Sequence, residues 1–340
     1  MASTELHETA RAIVADHKGI LAADESTGTI KKRFDSIDVE STEESRRFYR
    51  QLLFTAPGME DAIGGVILYD ETIRQKADDG TPFPELLASK GSIPGIKVDT
   101  GAHDLAGFPG EKVTEGLDGL RPRLEEYASL GARFAKWRAV ITIGEGIPTD
   151  ACLRANAHAL ARYASLCQEA GIVPIVEPEV LMDADNTLET CWEVTTRTLH
   201  ETFDALYELG IDLQGALLKP NMVISGKGCP AQASSERIAE ATIDCFLGVV
   251  PAAVPGIVFL SGGQSEVEAT ENLNAINKLG GPWPLSFSYG RALQASALAA
   301  WGGDAANAEA AQAAFAHRAR MNALAAAGAW SAELEQPVTA

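Results

Sequence analysis

Eight short apolar runs, each followed by an amphipathic stretch, recur along the chain between Gly19 and Leu298. They are Gly19–Ala23, Gly65–Tyr69, Gly95–Val98, Arg133–Val140, Ile172–Val176, Gly215–Leu218, Gly256–Leu260 and Leu285–Ser288. Their apolar character is nearly continuous, which is the mark of a strand covered on both faces. Such strands need helices to cover them, and the intervening stretches supply them. Ser41 precedes Glu44, and Ser265 precedes Glu268, at capping-box spacing. Leu153, Ala157, Leu160, Ala164 and Cys167 form one apolar helical face that ends at Gly171. Asn186 is expected to open a long helix closed by Gly210.

Eight strand–helix units are the content of a single-domain (β/α)₈ TIM barrel, an α/β fold. The expected organisation is a catalytic barrel with an N-terminal helix over 1–303. A C-terminal helix and short tail over 304–340 should pack on the same domain. Ala305–Ala327 reads as an alanine-rich helix and Ser331–Ala340 as a loose tail. A doubly wound sheet is the competing topology, but the first strand–helix turn has no GxGxxG.

Charge and composition narrow the function. The 340 residues carry 28 Lys+Arg against 47 Asp+Glu, a formal net charge of −19. No basic stripe offsets this excess, so nucleic acid and anionic membranes are not expected partners. No stretch is long and apolar enough to span a bilayer, and no basic n-region opens an apolar leader, so the expected location is cytoplasmic. The 5 cysteines include no CxxC, and no two of the 6 histidines lie three or four residues apart. Neither a structural zinc site nor a helical His pair is signalled, and no metal or other cofactor is expected.

Three lysines lie where lysine is rarely found, in or at the end of apolar strands: Lys97, Lys136 and Lys219. One such lysine would ordinarily reach past the strand end to solvent. Three at corresponding ends of barrel strands converge on the mouth where TIM-barrel active sites lie. Asp24 and Glu177 close two further runs and point to the same mouth. A lysine in a crowded, partly dry site can present a free amine, helped by a neighbouring cation such as Lys136 beside Lys219. Its iminium with a carbonyl is an electron sink.

The loops after the seventh and eighth strands suit an anion. Ser261-Gly262-Gly263-Gln264-Ser265 lets backbone amides approach a ligand, and Ser288-Tyr289-Gly290-Arg291 adds a guanidinium. Arg33, in Lys31-Lys32-Arg33, is a further candidate, or part of a solvated basic helix face.

From about His7 to Gly303 the chain resembles the class I (Schiff-base) fructose-1,6-bisphosphate aldolases. The resemblance rests on Gly19–Gly28, Gly95–Asp99, Ala135–Arg138, Ile175–Glu179, Leu217–Met222, Phe259–Ser265 and Phe287–Leu293, in that order. It implies a metal-free lyase of glycolysis and gluconeogenesis, usually a homotetramer. Such an enzyme reversibly cleaves fructose 1,6-bisphosphate to dihydroxyacetone phosphate and glyceraldehyde 3-phosphate. It implies Lys219 as the Schiff-base lysine and Glu177 as its acid/base. Lys136 would give electrostatic support, and Asp24 would be the base for the C4 hydroxyl. Ser261, Gly262 and Arg291 would hold the C1 phosphate, with Lys97 and Arg138 at the other phosphate.

Two departures stand out. Thr100 occupies a position that is often lysine in relatives. The sequence ends Glu335-Gln336-Pro337-Val338-Thr339-Ala340, where animal members end in tyrosine. The alternatives are a Schiff-base barrel acting on a sugar monophosphate or transferring a three-carbon unit, and a non-catalytic scaffold. The intact Asp24/Lys136/Glu177/Lys219 set argues against the scaffold.

Overall fold

The structure is a computed structural model and describes residues 2–335. Each expected run is a strand: β1 Gly19–Ala22, β2 Ile63–Leu68, β3 Ile93–Lys97, β4 Phe134–Ile141, β5 Val173–Val180, β6 Leu217–Leu218, β7 Ile257–Phe259 and β8 Leu285–Tyr289. Neighbouring strands pair in parallel, and β8 pairs with β1 to close the barrel. Closure excludes the doubly wound alternative.

Boundaries differ where pairing overrides the local pattern. β4 and β5 pair residue for residue from Phe134↔Val173 to Ile141↔Val180. Glu177 therefore lies inside β5 rather than closing it. β6 has two residues, because Pro220 has no N–H with which to extend the ladder. A small antiparallel hairpin, Gly101–Asp104 with Lys112–Glu115, follows β3 and was not foreseen. Its strands are short and largely exposed, so they lack the apolar run that marks the barrel strands.

Inside the barrel, side chains alternate with the pleat. Ile20, Ile67, Phe134, Val173, Ile175, Leu217 and Val258 fill its lower part. The N-terminal helix Ala2–Ile13 closes the foot with Leu6, Ala10 and Ile13. Gly95 makes room for the largest of these side chains: a Cβ there would lie 2.3 Å from the Phe134 ring. Outward-facing residues, such as Ala135 and Trp137 of β4, belong to the larger cluster beneath the helices. Trp137 stacks there on Tyr163 with ring centroids 5.6 Å apart.

The helix Asp150–Glu169 buries Leu153, Ala157, Leu160, Ala164 and Cys167 as its periodicity requires. Gly171 and Gly210 take positive φ just past their helices, at 72° and 66°. Ser265 and Glu268 form the expected capping box. Two other starts move by one residue. Thr42, not Ser41, caps Glu43–Phe54 in a reciprocal pair with Ser45. Thr187, not Asn186, caps Leu188–Glu208. In both cases the adjacent threonine hydroxyl is the one that reaches the third amide.

The alanine-rich segment forms the helix Ala308–Ala326 after a short turn, Ala305–Asn307. The stretch expected to be loose is ordered through residue 335. Ala332–Glu335 forms a 3₁₀ turn. Glu335 pairs with the buried Arg318 and accepts a hydrogen bond from Trp330 Nε1 at 2.9 Å. The rest of that stretch, 336–340, lies outside the described residues.

Candidate active site

The charged residues of the barrel interior lie at its carboxyl end. On β4 the inward positions run Phe134, Lys136, Arg138, so two residues of rise separate the apolar filling from a charge. Lys136 stands opposite Lys97 on β3, and Arg138 opposite Glu177 on β5. Lys219 is the first residue beyond β6, and its amide still donates to the Val176 carbonyl at 2.8 Å. Asp24 lies two residues beyond β1.

These groups form a continuous charged chain. Lys136 Nζ is 2.8 Å from Asp24 Oδ2 and 3.2 Å from Glu177 Oε2. Lys219 Nζ is 3.2 Å from Glu177 Oε1. Lys136 and Glu177 are each 3% exposed and Lys219 is 4% exposed. Glu177 Oε2 has no hydrogen-bond partner, because Lys136 approaches it at ion-pair distance but outside hydrogen-bond geometry.

Burial works against each charge, and opposite charges outweigh it. Desolvation opposes ionisation of Asp24, yet Lys136 and Lys219 hold it well below the usual carboxylate range. Glu177 is likewise desolvated and likewise held low by Lys136, Lys219 and Arg138. Burial pulls Lys136 toward the neutral amine, but Asp24, Glu177 and Asp99 push it above the ordinary lysine value. Two carboxylates and the Lys136 ammonium are thus charged in the absence of bulk water.

A cavity of about 220 Å³ opens over this cluster. It is lined by Asp24, Lys136, Glu177 and Lys219, and by Ser261, Gly262, Arg291, Arg138 and Arg33. Lys97 does not line it: its Nζ pairs with Asp99 Oδ1 at 3.0 Å. Arg291 is exposed at the rim, and its Nη2 donates to the Gly262 carbonyl at 2.8 Å. Gly262 sits at φ 56°, a conformation a side chain would strain. The loop it belongs to leads into the helix Glu266–Leu279, and Arg291 itself opens Arg291–Trp301. Arg138 pairs with Glu179, and Arg33 with Glu25.

Glu25, Ser26, Thr29, Glu179, Leu260 and Ser288 also line the cavity and were not singled out from the sequence. Glu179 was within reach, since it lies one pleat period beyond Glu177 on the same strand face. Ser288 sits in the motif that yielded Arg291, and its hydroxyl is buried without a partner. Among the described residues, no group of three or more His, Cys, Asp or Glu side chains is placed to hold a metal ion.

The geometry suits one class of chemistry. A buried amine has a carboxylate at hydrogen-bonding distance to carry its protons, and a second carboxylate is held ionised across a shared lysine. Arginines and backbone amides above them suit an anionic group.

Comparisons with known proteins agree on a family. Residues 5–340 match the family described as fructose-bisphosphate aldolase class-I. A Xanthomonas campestris pv. campestris protein named "Probable fructose-bisphosphate aldolase class 1" is 60% identical over 332 residues, covering 97% of this chain and 99% of its own length. "Fructose-bisphosphate aldolase, non-muscle type" of Lethenteron camtschaticum is 54% identical over 327 residues, or 95% of this chain and 90% of that one. A solved structure of fructose-bisphosphate aldolase from Plasmodium falciparum superposes with a TM-score of 0.96 at 50% identity, covering 97% of this chain and 96% of the other. With its closed barrel and lysine-centred mouth, the chain belongs to the class I fructose-bisphosphate aldolase family.

Proposed function

We propose that this chain reversibly cleaves fructose 1,6-bisphosphate to dihydroxyacetone phosphate and glyceraldehyde 3-phosphate through a Schiff base on Lys219. The observation that carries the reading is the chain Lys219–Glu177–Lys136–Asp24 at the barrel mouth. Lys219 Nζ attacks the C2 carbonyl, and Glu177, 3.2 Å away, takes a proton from the nitrogen. Glu177 passes that proton to the C2 oxygen to complete the carbinolamine hydroxyl, and a second proton, taken up from solvent by Glu177, lets the hydroxyl leave as water to give the iminium.

Asp24, held ionised beside Lys136, accepts the proton of the C4 hydroxyl. The C3–C4 bond breaks, its electron pair flows into the iminium to form an enamine, and the aldehyde product leaves. Protonation at C3 by Glu177 and hydrolysis of the iminium release the ketone and regenerate the amine. Lys136 remains a cation throughout and screens the two carboxylates from each other.

Ser261, Gly262 and Arg291 receive the C1 phosphate, with Arg33 at the same end of the cavity. Arg138 serves the second phosphate, and Lys97 serves it only on leaving Asp99. The reading includes no metal, a place in glycolysis and gluconeogenesis, a cytoplasmic location and a homotetramer, all implied by the family resemblance. No helix among the described residues is long and apolar enough to cross a membrane.

Borohydride reduction in the presence of dihydroxyacetone phosphate, followed by peptide mapping, tests the covalent step. Label is expected on the peptide containing Lys219. Label on Lys136 or Lys97 instead would overturn the assignment.

A further inference from the structure

Beside the mouth lies a second charged cluster, of which the catalytic scheme uses only Arg33. Glu25 is 7% exposed and carries a different arginine on each carboxylate oxygen. Oε1 pairs with Arg33 Nη1, and Oε2 accepts from Arg50 Nη2 at 2.5 Å. Gln294 Nε2 donates to the same Oε1 at 3.1 Å and to the Ala22 carbonyl at 2.9 Å, tying the carboxylate to the end of β1.

The two arginines differ in freedom. Arg33 lines the cavity, and its side chain is 21% exposed. It lies against the backbone of Gly290, where a Cβ would sit 3.5 Å from its Nη2. Arg50 is on the helix Glu43–Phe54, its side chain is 3% exposed, and its Nη1 is buried without a hydrogen-bond partner. A buried arginine with an unsatisfied nitrogen is a poor way to fill space. Its charge is what the site uses.

We infer that Arg50 is a positioning residue that keeps the Glu25 carboxylate compensated, so that Arg33 can leave it for an anionic group of the substrate. A carboxylate buried with a single cation holds that cation tightly, because separating them strands an unpaired charge. Glu25 is spared this: when Arg33 swings away, Oε2 keeps Arg50 and Oε1 keeps the Gln294 amide. Without Arg50, Glu25 would compete with the ligand for Arg33. The inference rests on the proposed reading only in naming a phosphate as the anion.

Five variants distinguish this role from a packing role: Arg50→Met, Arg50→Lys, the doubly neutral Glu25→Gln/Arg50→Met, Arg33→Ala/Arg50→Met and Arg33→Ala. The readouts are KM and kcat for fructose 1,6-bisphosphate and calorimetric binding of inorganic phosphate. Arg50→Met should raise KM and weaken phosphate binding by roughly 10-fold, with kcat within about two-fold of the parent. Arg50→Lys should lie near the parent. Neutralising Glu25 as well should restore KM, since nothing then retains Arg33. In the Arg33→Ala background, removing Arg50 should add nothing.

A KM rise that persists in Glu25→Gln/Arg50→Met or adds fully to that of Arg33→Ala would overturn the inference. So would a fall in kcat at constant KM. If Arg50→Met does not fold, the charge-neutral double variant carries the same decision: its phosphate affinity must match the parent. Phosphate binding is measured without turnover, so it still decides the role of Arg50 if the parent fails to cleave the bisphosphate.

Discussion

The foot and the mouth of the barrel are built from the same strands in the same inward register, yet they are opposite environments. At the foot, Phe134, Val173 and Leu217 meet the N-terminal helix in an apolar plug. Two residues further along β4 and β6 the inward positions hold Lys136 and Lys219, and Glu177 stands between them. Height along the strand, not the side of the sheet, separates a residue that stabilises the fold from one to which the proposed reaction assigns a role. Water exclusion at the foot contributes stability. At the mouth the same exclusion works against every charge, and only the mutual pairing of Asp24, Lys136, Glu177 and Lys219 offsets it.

The sharpest way to separate the two ends is to remove one group from each. Lys219→Met should abolish turnover, a loss of roughly 10⁴-fold or more, because no other amine is placed to form the electron sink. Its thermal unfolding should move far less than its turnover, since methionine fills the same volume and Glu177 keeps the Lys136 ammonium at 3.2 Å. A variant retaining a tenth of the parent rate would break the assignment of chemistry to the mouth.

Phe134→Ala at the foot should do the converse. It empties a site that Gly95 is shaped to accommodate, and should cost about 3–5 kcal/mol in denaturant unfolding. The surviving folded fraction should still be trapped at Lys219 by borohydride. Loss of trapping in folded protein would show the two ends to be coupled.

At the rim, Arg291→Ala removes an exposed guanidinium that no packing depends on. A charge-assisted bond to phosphate is worth about 1.5–3 kcal/mol, so KM should rise roughly 10- to 150-fold with unfolding unchanged. An unchanged KM would take Arg291 out of the binding site.

The smallest expected effect is a displacement in pH. The carboxyls of Glu177 and Asp24 are held below their ordinary values, so their pairing stabilises the parent above the ordinary carboxylate value. That contribution is lost as pH falls through the lowered values. In Lys136→Met burial acts with one cation fewer, and the acid limb of both stability and turnover should move up in pH. An acid limb that stays in place would mean that Lys136 does not set these ionisations.

Most of the barrel was legible because its strands are buried on both faces, and apolar runs record that directly. The hairpin Gly101–Glu115 was not, since exposed short strands leave no such record. The lysines were legible for the opposite reason: charge in an apolar run contradicts its surroundings and has to be explained. Glu25 and Arg50 were not. Arg50 lies on an ordinary amphipathic helix, and nothing within that helix distinguishes an arginine facing water from one buried against a carboxylate 25 residues away. Lys97 shows the converse limit, since its strand-end position is as expected while its ammonium turns to Asp99.

By itself the sequence determined the number of barrel strands, their order, and which residue types stand near their carboxyl ends, because burial periodicity and helix signals are local properties of the chain. Only the tertiary structure decided which charge faces which. Barrel closure sets the relative heights of β1, β4, β5 and β6, and those heights place Lys136 between Asp24 and Glu177 and bring Lys219 into ion-pair contact with Glu177. Electrostatic energies in a dry site change steeply over an ångström, and separations of that kind arise from strand register and closure rather than from spacing along the chain.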